Sequence, residues 1–154
     1  MHIVVPGGAG AMGRVTVRAL SEYDDIDLVT IADYSEARAQ ELAASLKSSK
    51  VQARQIDVTD ETRLRELIRG ADAVLSAVDY VFNLQILQAC IAERVHYADL
   101  GGLFHMTRRL MSLNAEAKAA GITAMPAIVN IAKVILRRMP YPDLAPDQNS
   151  PTLS

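Results

Sequence analysis

The chain has little cysteine, no marked charge imbalance and no long apolar run, and each shortage closes off a class of protein. Cys90 is the one cysteine in 154 residues, so no internal disulfide can form. Lys and Arg number 16 against 18 Asp and Glu, a formal net charge of −2 with no basic tract. That balance gives no electrostatic ground for binding nucleic acid or an anionic membrane. The most apolar stretch, Ala124 to Leu136, is interrupted by Asn130 and Lys133 and falls short of the ~18 residues a membrane span needs. No charged segment leads into an apolar leader at the start, and a cytoplasmic protein is the expectation. His2, His96 and His105 lie far from one another and from Cys90 in sequence, without zinc-ligand spacing, so no metal site is expected.

Proline is scarce until late. Only Pro6 precedes residue 126, whereas Pro126, Pro140, Pro142, Pro146 and Pro151 follow. The tail 140–154 is proline-rich and polar, too poor in apolar side chains to offset its ordering entropy, and is predicted disordered. Residues 126–139 carry helical apolar spacing at Ile128, Ile131, Ala132 and Ile135, which predicts a C-terminal helix with no evident packing partner. Exposed over Ile128–Leu136, such a helix would favour a homodimer.

Residues 1–125 read differently. Short β-branched runs at His2–Val5, Asp27–Ala32, Val51–Ile56, Ala73–Ala77, Val95–Ala98 and Ile122–Met125 are mostly continuous rather than alternating, as in strands buried on both faces. Between them apolar residues recur at helical spacing: Met12, Val15 and Ala19; Ala39, Leu42, Ala43 and Leu46; Leu64, Leu67 and Ile68; Leu84, Leu87 and Ile91; Met106, Leu110, Leu113 and Ala117. Asp60 is placed to cap the third helix, and Gly70 and Gly121 to end the third and fifth. Strands alternating with helices imply an α/β domain, a doubly wound parallel sheet of about six strands with helices on both faces.

The first strand runs directly into Gly8-x-Gly10-x-x-Gly13, opening a helix. In a dinucleotide-binding loop Gly8 would permit the tight turn, Gly10 would let the backbone approach a pyrophosphate, and Gly13 would let helix and strand pack closely. Asp33 comes at the end of the second strand, where a carboxylate accepts hydrogen bonds from ribose hydroxyls and repels a 2′-phosphate. NAD is therefore expected over NADP. Asp33 could instead cap the next helix, a task Ser35 would do equally well, and Arg38 reads either as a solvated helix residue or as a partner for a 2′-phosphate. Gly7, Gly10 and Gly13 also fit the spacing of extended short-chain dehydrogenases, but no tyrosine here is followed four residues later by lysine, so that catalytic pair is missing. Cys90, between Leu87 and Ile91 on a helix, reads as a small buried thiol rather than a nucleophile.

Beyond the glycine loop, QIDVTD (Gln55–Asp60), DAVLSAVDYVFN (Asp72–Asn83), ACIAERVHYADLGG (Ala89–Gly102) and AKAAGITAM (Ala117–Met125) together resemble the N-terminal, dinucleotide-binding Rossmann domain of saccharopine dehydrogenase-like proteins. That family includes lysine 6-dehydrogenases and related reductases of C–N bonds. The resemblance covers residues 1–125. It implies that Gly8, Ala9, Gly10, Ala11 and Met12 hold the pyrophosphate and Asp33 the ribose, that Asp57 and Val58 flank the adenine, and that Ala77 and Val78 lie beside the nicotinamide ribose. Tyr97, Asp99, Leu100 and Gly101 would edge the cleft towards substrate. From the residues alone, Tyr97 reads equally as a packed strand-end ring and Asp99 as a cap for the helix near Phe104.

The family pattern continues through a glycine-rich segment into a large substrate domain. Here Met125 is followed at once by Pro126-Ala127-Ile128-Val129-Asn130, with Ala127 where the family has glycine. The resemblance thus implies the cofactor domain of an oxidoreductase that moves hydride to or from a C–N bond of a small amino-acid-type substrate, with the substrate domain missing from this chain and the catalytic residues unassigned. A truncated, rearranged or split gene product is the expectation. A stand-alone NAD-sensing regulatory module and a remnant without activity are the alternatives.

Overall fold

A computed structural model describes residues 1–127; the expected helix at 126–139 and tail at 140–154 fall almost wholly outside the described residues. Six parallel strands form one sheet: β1 (His2–Pro6), β2 (Leu28–Asp33), β3 (Val51–Gln55), β4 (Ala73–Ser76), β5 (His96–Asp99) and β6 (Ala124–Met125). Their order is β3-β2-β1-β4-β5-β6. The chain winds outward from β1 in one direction and then from β4 in the other, so the crevice between β1 and β4 is a topological switch point, where such sheets bind ligands at their carboxyl ends.

Successive strand residues point to opposite faces, and both faces are covered. Ile3, Val5, Val29 and Ile31 pack under α1 (Ala11–Ser21) and α2 (Glu36–Leu46), meeting Val17, Leu20 and Leu42. On the other face Val4, Ala32 and Val74 meet α3 (Glu61–Ile68) and α4 (Asn83–Glu93) through Leu64, Ile68, Ile86 and Leu87. Each such aliphatic side chain contributes about 1.5–3 kcal/mol over leaving it in water. Burial on both faces is why the strands read as continuous apolar runs. Among the described residues no helix is long and apolar enough to cross a membrane.

Helix boundaries follow their caps. The Asp60 carboxylate accepts the Arg63 amide at 3.0 Å, and Gly70 and Gly121 stand just past the ends of their helices. The single helix expected from Met106 to Ala117 is instead two, α5 (Phe104–Met111) and α6 (Asn114–Ala119). Ser112 turns its hydroxyl back onto the Arg109 carbonyl at 2.7 Å, a local bond that competes with the helix ladder, and Asn114 starts the next helix. Strand β6 is also shorter than the apolar run. The Ile122 amide closes α6 on the Ala117 carbonyl at 3.1 Å and the Thr123 amide goes to His96 Nδ1 at 2.9 Å, leaving Ala124 and Met125 for the β5 ladder.

Two polar devices tie the second layer together. Glu93, at the end of α4, receives Arg65 Nε at 2.8 Å and Arg69 Nε at 2.9 Å from α3 and the turn after it. The two guanidiniums hold its carboxyl down at about 2. Further along the chain, Asp99 at the end of β5 is 1% exposed and accepts the Tyr97 hydroxyl at 2.8 Å, the Gly101 amide at 2.7 Å and the Ala127 amide at 2.8 Å. This one carboxylate fixes β5, the loop after it and the chain leaving β6.

Glu93 supplies stability that is fully present above the ordinary glutamate range and drains away as pH falls from about 4.5 towards 2. The Glu93→Gln variant is therefore expected to unfold at a lower temperature than wild type near neutrality, with the gap closing as the scans are repeated towards the acid end. Asp99→Ala removes the acceptor of three donors in a dry site; urea unfolding is expected to show a loss of about 3 kcal/mol or more.

Candidate cofactor-binding site

The site grows from the turn between β1 and α1. Gly7 adopts φ +73°, and a side chain there would run into the Ala77 carbonyl at 2.7 Å. The tight turn thus belongs to Gly7 rather than to Gly8, because it is residue 7 that must take the left-handed backbone. Gly13 serves close packing as expected: a Cβ there would fall on the Gly7 carbonyl oxygen, inside backbone that has no room to move.

The loop amides divide into two sets. Gly7 donates to the Ala32 carbonyl at 2.7 Å, Gly8 to Val5 at 3.1 Å, Gly10 to Gly7 at 2.9 Å and Ala9 to Asp33 Oδ2 at 3.0 Å. Gly8, Ala9 and Gly10, expected to hold the pyrophosphate, spend their amides on the fold instead. The amides of Ala11, Met12 and Gly13 have no acceptor among the described residues and open the first turn of α1 with no side-chain cap. Free amides at a helix N-terminus, with the positive end of its dipole, form an anion-binding site that needs no lysine. Gly10 keeps the approach open, since a Cβ there would touch only the Gly7 carbonyl, at 3.1 Å. The loop fits a pyrophosphate on these grounds.

Asp33 is nearly buried at 9% exposure. Oδ2 accepts the Ala9 amide and Oδ1 the Ser35 amide at 3.1 Å, while Ser35, not Asp33, caps α2 by accepting the Arg38 amide. Both sequence readings of Asp33 therefore miss its structural work, which is to bind the glycine loop to the β2–α2 junction. Its carboxylate still lines the main cleft and has lone pairs left for a ribose.

That cleft, about 490 Å³ and open to solvent, lies at the carboxyl ends of β1, β2 and β3. Asp33, Asp57 and Thr59 line it with polar atoms, and Ile56, Val58 and Phe82 give it an apolar wall on which a planar base can lie. Asp57 accepts the Thr59 amide at 2.9 Å and hydroxyl at 2.7 Å, bonds that hold its carboxyl below the ordinary range. Gln85 of α4 donates to the Val58 carbonyl at 2.6 Å and so fixes this wall. Val78 reaches the cleft; Ala77 sits against the glycine turn, its amide on the Pro6 carbonyl at 2.8 Å. Of the residues assigned from sequence, Asp33, Asp57, Val58 and Val78 line this cleft, whereas Gly8 to Met12 do not.

The substrate-side residues do not. Tyr97 is 2% exposed, its hydroxyl held by Asp99, and burial beside that carboxylate pushes its phenol well above the ordinary tyrosine range. Asp99 is spent on the Tyr97 hydroxyl and the Gly101 and Ala127 amides, and α5 is capped by no side chain. Neither lines the cleft, and both serve as framework, with Gly101 turning at φ 102° in the loop after them. Cys90 is fully buried, and burial pushes its thiol up, away from nucleophilic chemistry. Sequence reasoning missed Gly7, Thr59 and Phe82. For Thr59 a signal existed, since Asp-x-Thr is an aspartate turn in waiting; for Phe82 there was none.

Comparison with known proteins agrees with this geometry. The family model described as the saccharopine dehydrogenase NADP binding domain matches residues 3–125. The NADP(+)-dependent, L-glutamate-forming saccharopine dehydrogenase of Saccharomyces cerevisiae is 31% identical over 121 residues, which cover 79% of this chain and 26% of that one. Its apo structure superposes with a TM-score of 0.71 at 28% identity, over 82% of this chain and 27% of the other. The mitochondrial (−)-isopiperitenol/(−)-carveol dehydrogenase of Mentha piperita is 29% identical over 117 residues, 76% of this chain and 42% of that protein. The triphenylmethane reductase of Citrobacter sp., with NADP(H) bound, shares the fold at a TM-score of 0.60 and 17% identity, covering 79% of this chain and 47% of that one. The chain spans about a quarter of the length of the yeast saccharopine dehydrogenase it matches. With a six-stranded parallel sheet, a glycine turn at its switch point and this match over residues 3–125, the chain belongs to the saccharopine dehydrogenase NADP-binding domain family.

Proposed function

We propose that the chain is the cofactor-binding domain of an oxidoreductase that transfers hydride to or from a C–N bond of an amino-acid-type substrate, and that it takes NAD in preference to NADP. The observation that carries the cofactor reading is the set of three free amides at the start of α1, beside a cleft with two carboxylates and an apolar wall. When bound, the dinucleotide supplies the hydride acceptor or donor, and the protein supplies position. Ala11, Met12 and Gly13 would receive the pyrophosphate, Asp33 the adenosine ribose, and Ile56, Val58 and Phe82 the base. Val78 and the glycine turn would border the path towards the nicotinamide.

Charge supports the preference for NAD. Asp33 and Asp57 both face the cleft, and among the described residues no lysine or arginine lines it. A 2′-phosphate would enter a region of like charge. The family model and the yeast relative are named for NADP, so a preference for NAD would set this chain apart from them. Recognition of substrate falls to residues beyond those described, since Tyr97 and Asp99 are occupied within the fold.

Calorimetric titration with NAD⁺, NADH, NADP⁺ and NADPH, with ATP as control, tests the reading. NAD⁺ and NADH are expected to bind about tenfold or more tightly than their 2′-phosphorylated counterparts. Gly10→Val is expected to abolish binding of all four by filling the approach to the amides, and Asp33→Asn to narrow the ratio. Tighter binding of NADP⁺ would overturn the NAD preference; a folded protein that binds no dinucleotide would overturn the cofactor reading itself.

A further inference from the structure

Arg38 sits in the first turn of α2, where the positive end of the helix dipole opposes a cation. A solvated arginine would swing away from that end. Instead its guanidinium crosses to the glycine loop and donates through Nη2 to the Ala9 carbonyl at 2.8 Å. Ala9 is fully buried, and its amide is the one that donates to Asp33. One residue of the loop is thus gripped from both sides, N–H by the carboxylate and C=O by the guanidinium.

The two grips close a ring. Asp33 accepts the Ser35 amide, Ser35 caps the helix that carries Arg38, and Arg38 returns to Ala9. The Ala9 carbonyl belongs to the peptide that leads into Gly10, whose extended backbone (φ −72°, ψ 174°) caps α1 and sets the direction of the amides after it. Holding that carbonyl therefore holds the aim of Ala11 and Met12 at whatever anion they receive. Arg38 does not line the adenosine cleft, so its effect on a ligand passes through the loop.

We propose that Arg38 is a positioning residue for the pyrophosphate amides, and that it does not read a 2′-phosphate. The proposal rests on the cofactor reading for its ligand and on the geometry alone for its effect on the loop. Because the pyrophosphate is common to both dinucleotides, loss of the guanidinium must weaken them alike. Arg38→Met keeps the stem of the side chain and leaves the Ser35 cap and the buried Ala39 and Leu42 untouched, so α2 has what it needs to form.

The experiment has two readouts on the full chain. In titrations with NAD⁺ and NADP⁺, Arg38→Met is expected to lower both affinities by the same factor, about tenfold for one charge-assisted bond, with the ratio unchanged. Arg38→Lys, which can still donate to a carbonyl, is expected to recover much of the loss at an unchanged melting temperature. In ligand-free protein, amide hydrogen exchange at residues 9–12 is expected to quicken in Arg38→Met while the strands keep their protection. Loss confined to NADP⁺ would make Arg38 a phosphate reader and overturn the proposal. Unchanged affinities, unchanged exchange, or a lysine variant no better than methionine would do the same. Quickened exchange in a protein whose wild type binds neither dinucleotide would leave the clamp standing and bring down only the cofactor reading. If Arg38→Met does not fold, the comparison rests on Arg38→Gln, which retains one neutral donor and is expected to fall between wild type and an unbound loop in both readouts.

Discussion

The bond from the Ala9 amide to the Asp33 carboxylate is the constraint on which the rest of the site depends. A glycine turn is by nature loose, since glycine gives up more conformational freedom than any other residue when it orders. Tied to the end of β2, this turn becomes part of the sheet. Gly7 reaches the Ala32 carbonyl one residue before Asp33, so two successive positions of β2 hold the loop, and α1 inherits a fixed start. The amides of Ala11, Met12 and Gly13 follow a loop held to β2 at Gly7 and Ala9.

The same carboxylate has a second face. Asp33 lines the cleft while serving the loop, so one residue links the cleft to the start of α1. A change there alters both the cleft lining and the loop that opens α1. This double duty explains why its burial is compatible with binding: its oxygens accept two backbone amides and retain capacity for hydroxyl donors at the cleft edge.

Most of the architecture was legible in the sequence because burial on both faces leaves a direct trace. Continuous runs such as His2–Val5 have few alternatives to a central parallel strand, and Asp60 and Gly70 announce helix ends through chemistry that acts within a turn. The misreadings share a cause. The α5–α6 break at Ser112, the short β6 and the tight turn at Gly7 rather than Gly8 all depend on where single backbone groups find their partners. Apolar periodicity carries no record of that. Tyr97 is the packed strand-end ring that the sequence allowed, while Asp99 caps no helix, because a polar residue at a strand end looks the same in sequence whether it faces a ligand, a helix start or a buried amide.

Asp99 fixes the other half of the sheet's carboxyl edge. Its carboxylate joins the loop after β5 to the Ala127 amide, at the point where the chain leaves the sheet. Gly102 in that loop lies so close to Tyr80 that a Cβ would fall 2.5 Å from the tyrosine's own. The loop is thus pinned between the 3₁₀ turn after β4 and the exit from β6, both at the carboxyl edge where the nicotinamide end of a dinucleotide would come to rest. Rigid packing on that side and an open cleft on the other divide the labour along one edge. The edge formed by β1, β2 and β3 opens to solvent as a cleft, whereas the edge at β5 is closed, with Tyr97 and Asp99 buried and hydrogen-bonded to each other.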